Sequence, residues 1–297
     1  MKEMTNMQDT VLKSMLFVPG DSEKKMMKAR ACAASALILD LEDSVTADRT
    51  DTARSMVCEF LKGQPDRNRQ QLWVRINPLT TPLALPDLAG IVAGAPDGIL
   101  LPKVESAQDV VLLDHYLSAL EQREGVAQGH IRIIPVTTET PSALFALNTY
   151  KNTSPRLMGL TWGAEDLATA LGASSNRVDG QEYEFTYQLA RSLCLVGAHA
   201  AGLQAIETIT ANFRDQALLL REVRTSRRAG FTGKIAIHPD QIDTINAGFS
   251  PDEAELAHAQ AVVAAFEKAD GAGTVQLEGQ MLDKPHLTQA LRLLSAA

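Results

Sequence analysis

The chain is short of several features that would have pointed elsewhere. It has only three cysteines, Cys32, Cys58 and Cys194, in 297 residues. Their number is odd, their spacings are wide and none falls in a metal-binding pattern, so they read as reduced thiols of a cytoplasmic protein. No apolar run approaches the roughly 18 residues of a membrane span. The opening "MKEMTNMQDTVLK" lacks an apolar secretory core, so no signal peptide is expected. Cations are scarce: 28 Lys and Arg stand against 36 Asp and Glu, a net charge of −8, which argues against a nucleic-acid partner that would need a basic face. An anionic substrate stays open, because a metal or a few local cations set the sign of a single pocket. No G-x-G-x-x-G follows the first strand-like run and no Walker loop occurs, so a nucleotide-binding fold is not expected.

What is present is a repeated alternation. Hydrophobic residues make up 45% of the chain, enough for a large core. Eight short apolar runs alternate with helical stretches: "MLFVPG" (15–20), "ALILDLED" (36–43), "LWVRIN" (72–77), "DGILLPKVE" (97–105), "IRIIPVTTET" (131–140), "LMGLTWGAED" (157–166), "LQAIET" (203–208) and "KIAIHP" (234–239). Most are continuous rather than alternating, the mark of strands buried on both faces. Eight βα units predict a parallel sheet, most simply an α/β fold closed as a (β/α)₈ TIM barrel, with an open doubly wound sheet as the alternative. The pattern changes after residue 250. Ser250 reads as an N-cap and Pro251 as the first residue of a capped helix. A glycine-flanked segment with Gly271, Gly273 and Gly279 follows, and then a last helix. The expected organisation is a flexible N-terminus over 1–13, a barrel over 14–250 and a C-terminal helical extension or lid over 251–297.

In such a barrel the chemistry sits where strands end and loops begin. Strand two ends in Asp40, Glu42 and Asp43, strand three in Arg75 and Asn77, and strand four in Lys103 and Glu105. The later strands end in Glu139, Glu165 with Asp166, Glu207 and His238. So many acids on one rim call for a cation, and an oxygen-rich set without Cys or His suits Mg²⁺, which takes one or two carboxylates and keeps several waters. Simpler roles exist for each. Asp43 can cap the following helix, and Glu139, before Thr140-Pro141, can be a first-turn acid, as can Asp166. Arg75 can be a structural ion pair and Lys103 a structural partner of a rim acid. His238 reads as a hydrogen-bonded core histidine.

At these residues the chain resembles the citrate lyase β-subunit-like proteins of the malyl-CoA lyase superfamily. The motifs that carry the likeness are "LFVPG", "LILDLEDSV", "VRIN", "LLPKVES", "TTETPSALF", "LTWGAEDLATALG", "FTGKIAIHPDQI" and "GQMLDKP", in order over residues 14–290. The resemblance implies a TIM barrel that binds Mg²⁺ through Glu139 and Asp166. It implies that Arg75 grips the carboxylate and carbonyl oxygens of a 2-oxo acid, that Glu42 and Asp43 hold metal-bound waters, and that Asp283 is the catalytic acid–base. Phe17, Pro19 and Gly20 are expected near a coenzyme A thioester, with Lys103 also substrate-binding. The tail is expected to reach a neighbouring subunit, in a homo-oligomer such as a trimer or hexamer. The implied reaction is Claisen-type cleavage or condensation of a β-hydroxyacyl-CoA such as citryl-, malyl- or citramalyl-CoA, with acetyl-CoA and a 2-oxo acid as partners.

Three residues depart from the family pattern: Lys13 where an arginine is usual, Glu207 where the strand-seven acid is an aspartate, and His199 in a small-residue helix. They bear on the thioester carrier and the acyl group rather than on the metal. Alternative readings are a thioester hydrolase on the same site, a Schiff-base aldolase using Lys103, and a non-catalytic subunit of a lyase complex.

Overall fold

The computed structural model describes residues 11–269 and 273–295. Its strands are β1 (Ser14–Pro19), β2 (Ala36–Asp40), β3 (Gln71–Arg75), β4 (Gly98–Leu101), β5 (Arg132–Pro135), β6 (Gly159–Thr161), β7 (Arg177–Val178), β8 (Glu182–Tyr183), β9 (Gln204–Glu207), β10 (Gly233–Ala236), β11 (Thr274–Leu277) and β12 (Gln280–Asp283). Between them run α1 (Glu23–Arg30), α2 (Thr50–Lys62), α3 (Ala84–Ile91), α4 (Ala107–Glu124), α5 (Pro141–Leu144), α6 (Glu165–Leu171), α7 (Phe185–Ala201), α8 (Gln216–Ala229), α9 (Ile242–Phe249), α10 (Glu253–Lys268) and α11 (Lys284–Ser295). The chain divides into two compact units, Met1–Asn246 and Ala247–Ala297. The glycine at 271 and most of the expected flexible N-terminus, residues 1–10, lie outside the described residues. Leu12, also assigned to that terminus, is buried, and Gln204 bonds both its N–H and its carbonyl oxygen.

In the first unit the eight expected strands form one parallel sheet in the order β5-β4-β3-β2-β1-β10-β9-β6. Bridges from Ile133 to Leu157 and from Val136 to Thr161 join its two ends, so the sheet closes nearly completely into a TIM barrel. The continuous apolar runs explain this. Every residue of β2 is buried, one face towards the barrel axis and the other under helices. Met15, Ile38, Trp73, Leu100, Ile206 and Ile235 belong to one interior cluster. The hairpin β7–β8 was not expected from sequence; its strands are two residues each, too short for a periodic signal.

One polar cluster joins α4 to the start of the barrel. Arg156 is buried, and all five of its N–H groups are used. Nε meets Asp114 Oδ1 at 2.6 Å; Nη1 meets Glu121 Oε1 at 2.7 Å and the Ile131 carbonyl at 3.0 Å; Nη2 meets Glu121 Oε2 at 2.6 Å and Ser118 Oγ at 3.0 Å. Glu121 also accepts from the N–H groups of Gly129 and Ile131, which fastens the end of α4 to the approach to β5.

The second unit has its own small core of Ala259, Val262, Phe266, Leu282 and Ala290. The helix start expected at Ser250-Pro251 lies two residues further on. Asp252 is the N-cap and makes a reciprocal capping box with Glu255, exchanging two bonds with the first turn.

Candidate active site

Asp40 and Arg75 are the last residues of β2 and β3, and the parallel register sets them side by side. The pairing is bidentate: Arg75 Nε to Asp40 Oδ1 at 2.7 Å and Nη2 to Oδ2 at 2.8 Å. The same carboxylate accepts the N–H groups of Glu42 at 3.0 Å and Ser44 at 3.1 Å. It therefore folds the loop after β2 around itself and turns Glu42 and Asp43 towards the mouth. Burial alone would raise the Asp40 carboxyl; the bonds and charge of Arg75, with those N–H groups, outweigh it and hold it below the usual range. The outer edge of Arg75 is held less tightly, with Nη1 3.0 Å from Glu42 Oε2 and 3.3 Å from Asp43 Oδ2. The guanidinium lies 4.5 Å over the ring of Phe17, so Phe17 is its platform.

Lys103 lies two residues beyond β4 with φ 51, a left-handed conformation that costs a side-chain-bearing residue about 1–3 kcal/mol. That turn does two jobs. The Lys103 N–H bonds Glu139 Oε2 at 2.6 Å, and the ammonium reaches Glu42 Oε1 at 2.5 Å, Asp166 Oδ1 at 3.2 Å and Asp43 Oδ1 at 3.9 Å. Glu42 Oε2 is buried and accepts no hydrogen bond; its approach to Arg75 has ion-pair distance without hydrogen-bond geometry. Burial raises the Glu42 carboxyl despite its two cationic neighbours.

Glu139 is buried just before α5, which Thr140 caps and Pro141 opens. It is therefore no first-turn acid, and its side chain is free to face the mouth. Gly163 makes the space: a Cβ there would stand 3.0 Å from Glu139 Cγ and 3.1 Å from Oε1. Burial pushes the Glu139 carboxyl up to about 8, and the charge of Asp166 acts the same way. Asp166 is in the first turn of α6, so the helix-start role and the pairing with Lys103 coincide.

Five carboxylates, Asp40, Glu42, Asp43, Glu139 and Asp166, thus converge on two cations, Arg75 and Lys103, leaving a formal charge of −3. Among the described residues no group of three or more His, Cys, Asp or Glu is placed to hold a metal by itself. A hard divalent cation with two carboxylate ligands and the rest water fits better, and the Glu139–Asp166 pair meets that description. Burial, and after it the charge of Asp166, lifts Glu139, and such an ion would offset both.

The other expected residues take the following places. Glu42 and Asp43, expected to hold metal-bound waters, lie against Arg75 and Lys103. Gly20, expected near a thioester, is buried, donates its N–H to the Asp40 carbonyl at 2.9 Å, and has no room for a Cβ, which would stand 2.6 Å from that oxygen. Pro19 is half-buried in register with Asp40. Glu105 and Glu165 are exposed. Glu207 leaves the rim altogether and takes bonds from Arg191, Trp162 and Ser226. His238 is no core histidine: it is half-buried, stacks on Phe213 with centroids 4.5 Å apart, and accepts the Asp240 N–H. His199 is exposed, with Nε2 3.1 Å from the Gly230 carbonyl oxygen. Asp283 ends β12 in the second unit, Oδ1 2.5 Å from His286 Nδ1. Sequence reasoning missed Asp40 as the anchor of Arg75; the usable signal was that both close adjacent strands.

The model of the HpcH/HpaI aldolase/citrate lyase family matches residues 13–239. The citrate lyase subunit beta of Leuconostoc mesenteroides subsp. cremoris is 34% identical over 289 residues, covering 96% of this chain and 93% of the relative. A (3S)-malyl-CoA thioesterase of Cereibacter sphaeroides is 34% identical over 288 residues, covering 96% and 94%. Among solved structures, CitE from Mycobacterium tuberculosis in complex with magnesium, acetoacetate and coenzyme A superposes with a TM-score of 0.77 at 32% identity, covering 96% of this chain and 97% of that one.

Proposed function

The chain belongs to the HpcH/HpaI aldolase/citrate lyase family, and from that premise we propose that it is a Mg²⁺-dependent carbon–carbon lyase acting on a β-hydroxyacyl-CoA thioester. The observation that carries the reading is the convergence of Arg75 and Lys103 on buried acids at the barrel mouth, beside the Glu139–Asp166 pair.

Glu139 and Asp166 are the residues that would hold Mg²⁺. When bound, the ion supplies Lewis acidity towards the carboxylate and the hydroxyl or carbonyl oxygen of the acid portion. The remaining work belongs to the chain. Asp40 keeps the inner edge of Arg75, so the fork is preset. Its outer Nη1, in loose pairing with Asp43, is the donor that can pass to a substrate carboxylate. Lys103 positions Glu139 through its backbone and Glu42 through its ammonium. In the cleavage direction the hydroxyl loses its proton, the bond between the hydroxyl carbon and the carbon next to the thioester breaks, and its electron pair stays on the thioester side as an enolate. That carbon then takes a proton. Asp283 is assigned the acid–base role, acting on a neighbouring copy of the chain.

The identity to malyl-CoA thioesterases supports a second reading, hydrolysis on the same site. The test is product analysis by mass spectrometry. Purified protein is incubated with citryl-, malyl- and citramalyl-CoA, with Mg²⁺ and with EDTA. Acetyl-CoA plus a 2-oxo acid, dependent on Mg²⁺, is the expected result. Free CoA with the hydroxy acid intact would replace the lyase by the hydrolase, and no turnover of any thioester would sink both.

A further inference from the structure

Away from the barrel mouth, the first unit holds a cavity of about 530 Å³ whose lining is polar where packing would normally be apolar. Ile206 and Ile235 face the barrel interior. Strand alternation therefore sends their neighbours Glu207 and Lys234 outwards, into the layer between β9, β10 and the helices α7 and α8. Lys234 is 1% exposed there and Glu207 3%. Charges in that layer are costly unless they are paired, and apolar residues would fill it without such cost.

The hairpin β7–β8 walls the cavity and is fastened to α8: Arg177 Nη2 meets Glu222 Oε1 at 2.9 Å, and Arg221 Nη2 meets Gln181 Oε1 at 3.3 Å. Lys234 Nζ is bound to the Thr208 carbonyl at 2.6 Å and to Glu222 Oε2 at 3.4 Å, and Arg191 Nε to Glu207 Oε2 at 2.7 Å. Arg177 is further occupied by Tyr183, whose ring lies 3.9 Å below its guanidinium. With the acids so engaged, guanidinium donors remain on Arg191 (Nη1) and Arg221 (Nε and Nη1) that no acceptor among the described residues takes up. The balance is cationic, four bases against three acids (Glu182, Glu207 and Glu222) in the lining, inside a chain whose net charge is −8.

From this juxtaposition we propose that the cavity between α7, α8 and the β7–β8 hairpin is a second ligand site, specific for a small dianion. The chemistry is that of guanidinium forks, which match carboxylate or phosphate oxygens. The volume lies within the range of small-molecule sites, roughly 300–1,000 Å³. Occupancy ties the hairpin to α7 and α8 through shared donors. The site shares no residue with the barrel-mouth cluster, so it does not depend on the reaction proposed there.

The experiment uses the full chain in EDTA, with inorganic phosphate and succinate as separate probes in calorimetry and thermal melting. Saturable binding of one anion per chain is expected, with a raised melting temperature. Which probe binds tells a phosphate from a dicarboxylate ligand. Arg221 is exposed on α8, so Arg221→Met should fold normally by circular dichroism yet bind at least tenfold more weakly. Arg75→Lys, which alters the barrel mouth, should leave this binding unchanged. Absence of binding by either probe overturns the proposal, as does binding that survives Arg221→Met or that is lost in Arg75→Lys.

Discussion

At the scale of single residues, Asp40 and Arg75 serve both fold and chemistry, and substitutions separate the two. Arg75→Lys keeps the charge but loses the planar fork. The expected loss is about 2 kcal/mol of transition-state binding, roughly 30-fold in kcat/KM; a variant near wild type in steady-state kinetics would reduce Arg75 to a structural partner of Asp40. Asp40→Asn takes away the charge on the inner edge of Arg75 and leaves only Glu42 and Asp43 at its outer edge, and chemical denaturation should show a destabilisation of about 1.5–3 kcal/mol, the range for a hydrogen bond to a charged group. Glu139→Gln or Asp166→Asn is expected to abolish Mg²⁺ binding in calorimetry with the far-UV spectrum retained, and either variant binding as wild type would remove the metal assignment. Much of this cluster was legible in the chain: "ALILDLEDSV" ends a buried strand in acids, and "WVRIN" puts a cation in the adjacent strand. What was not legible was the pairing order. Residue types say that acids and bases meet at a rim, but only the register says that Asp40 takes the inner edge of Arg75 and leaves Glu42 and Asp43 to its outer edge.

At the scale of elements, the alternation of apolar runs and helices announced the eight barrel strands, because buried parallel strands carry their signal in composition. The β7–β8 hairpin carries none, being held by side-chain bonds to α8 rather than by a periodic pattern. Local chemistry competes in the same way at α10, where Asp252 outbids Ser250. The α4–Arg156 cluster sets a pH dependence. Burial acts to raise the carboxyls of Asp114 and Glu121, but bonds from Ser154 and Arg156 to the first, and from Arg156, Ile131 and Gly129 to the second, hold both below their ordinary range. Lowered folded values mean stability that is fully present above about pH 4, where the unfolded carboxyls ionise, and that is lost as pH falls through the folded values. Melting temperatures from neutral pH into that range should therefore drop. Glu121→Gln should lower the neutral-pH stability by about 3–5 kcal/mol and flatten the acid limb; an unchanged acid limb would exclude Glu121 as its source.

For the whole molecule, the question is whether the second unit completes a site on another copy of the chain. Asp283→Asn and Glu139→Gln proteins are each expected to be inactive. Mixed under conditions that exchange subunits, they should regain activity, because some hybrid sites then combine an intact metal pair with an intact Asp283. Verified hybrids that stay inactive would exclude catalysis in trans, and full activity of Asp283→Asn alone would remove its role. The barrel and the mouth residues were open to sequence reasoning because they recur at strand ends. The cavity beside α7 and α8 was not, because its lining comes from a hairpin, two helices and two strand ends between residues 177 and 234 that share no pattern.

The Asp40–Arg75 pair also acts on the folding chain before any substrate is present. Side chains alternate along a strand, so a one-residue slip of β2 against β3 would turn one partner away from the other. Each would then be an uncompensated charge in a closed layer, at a cost of several kcal/mol per ion. Apolar residues alone would punish such a slip weakly here, since β2 is buried on both faces and Leu, Ile and Ala tolerate exchange. The ion pair thus favours one alignment of two strands that hydrophobicity leaves ambiguous, the register in which Asp40 faces Arg75.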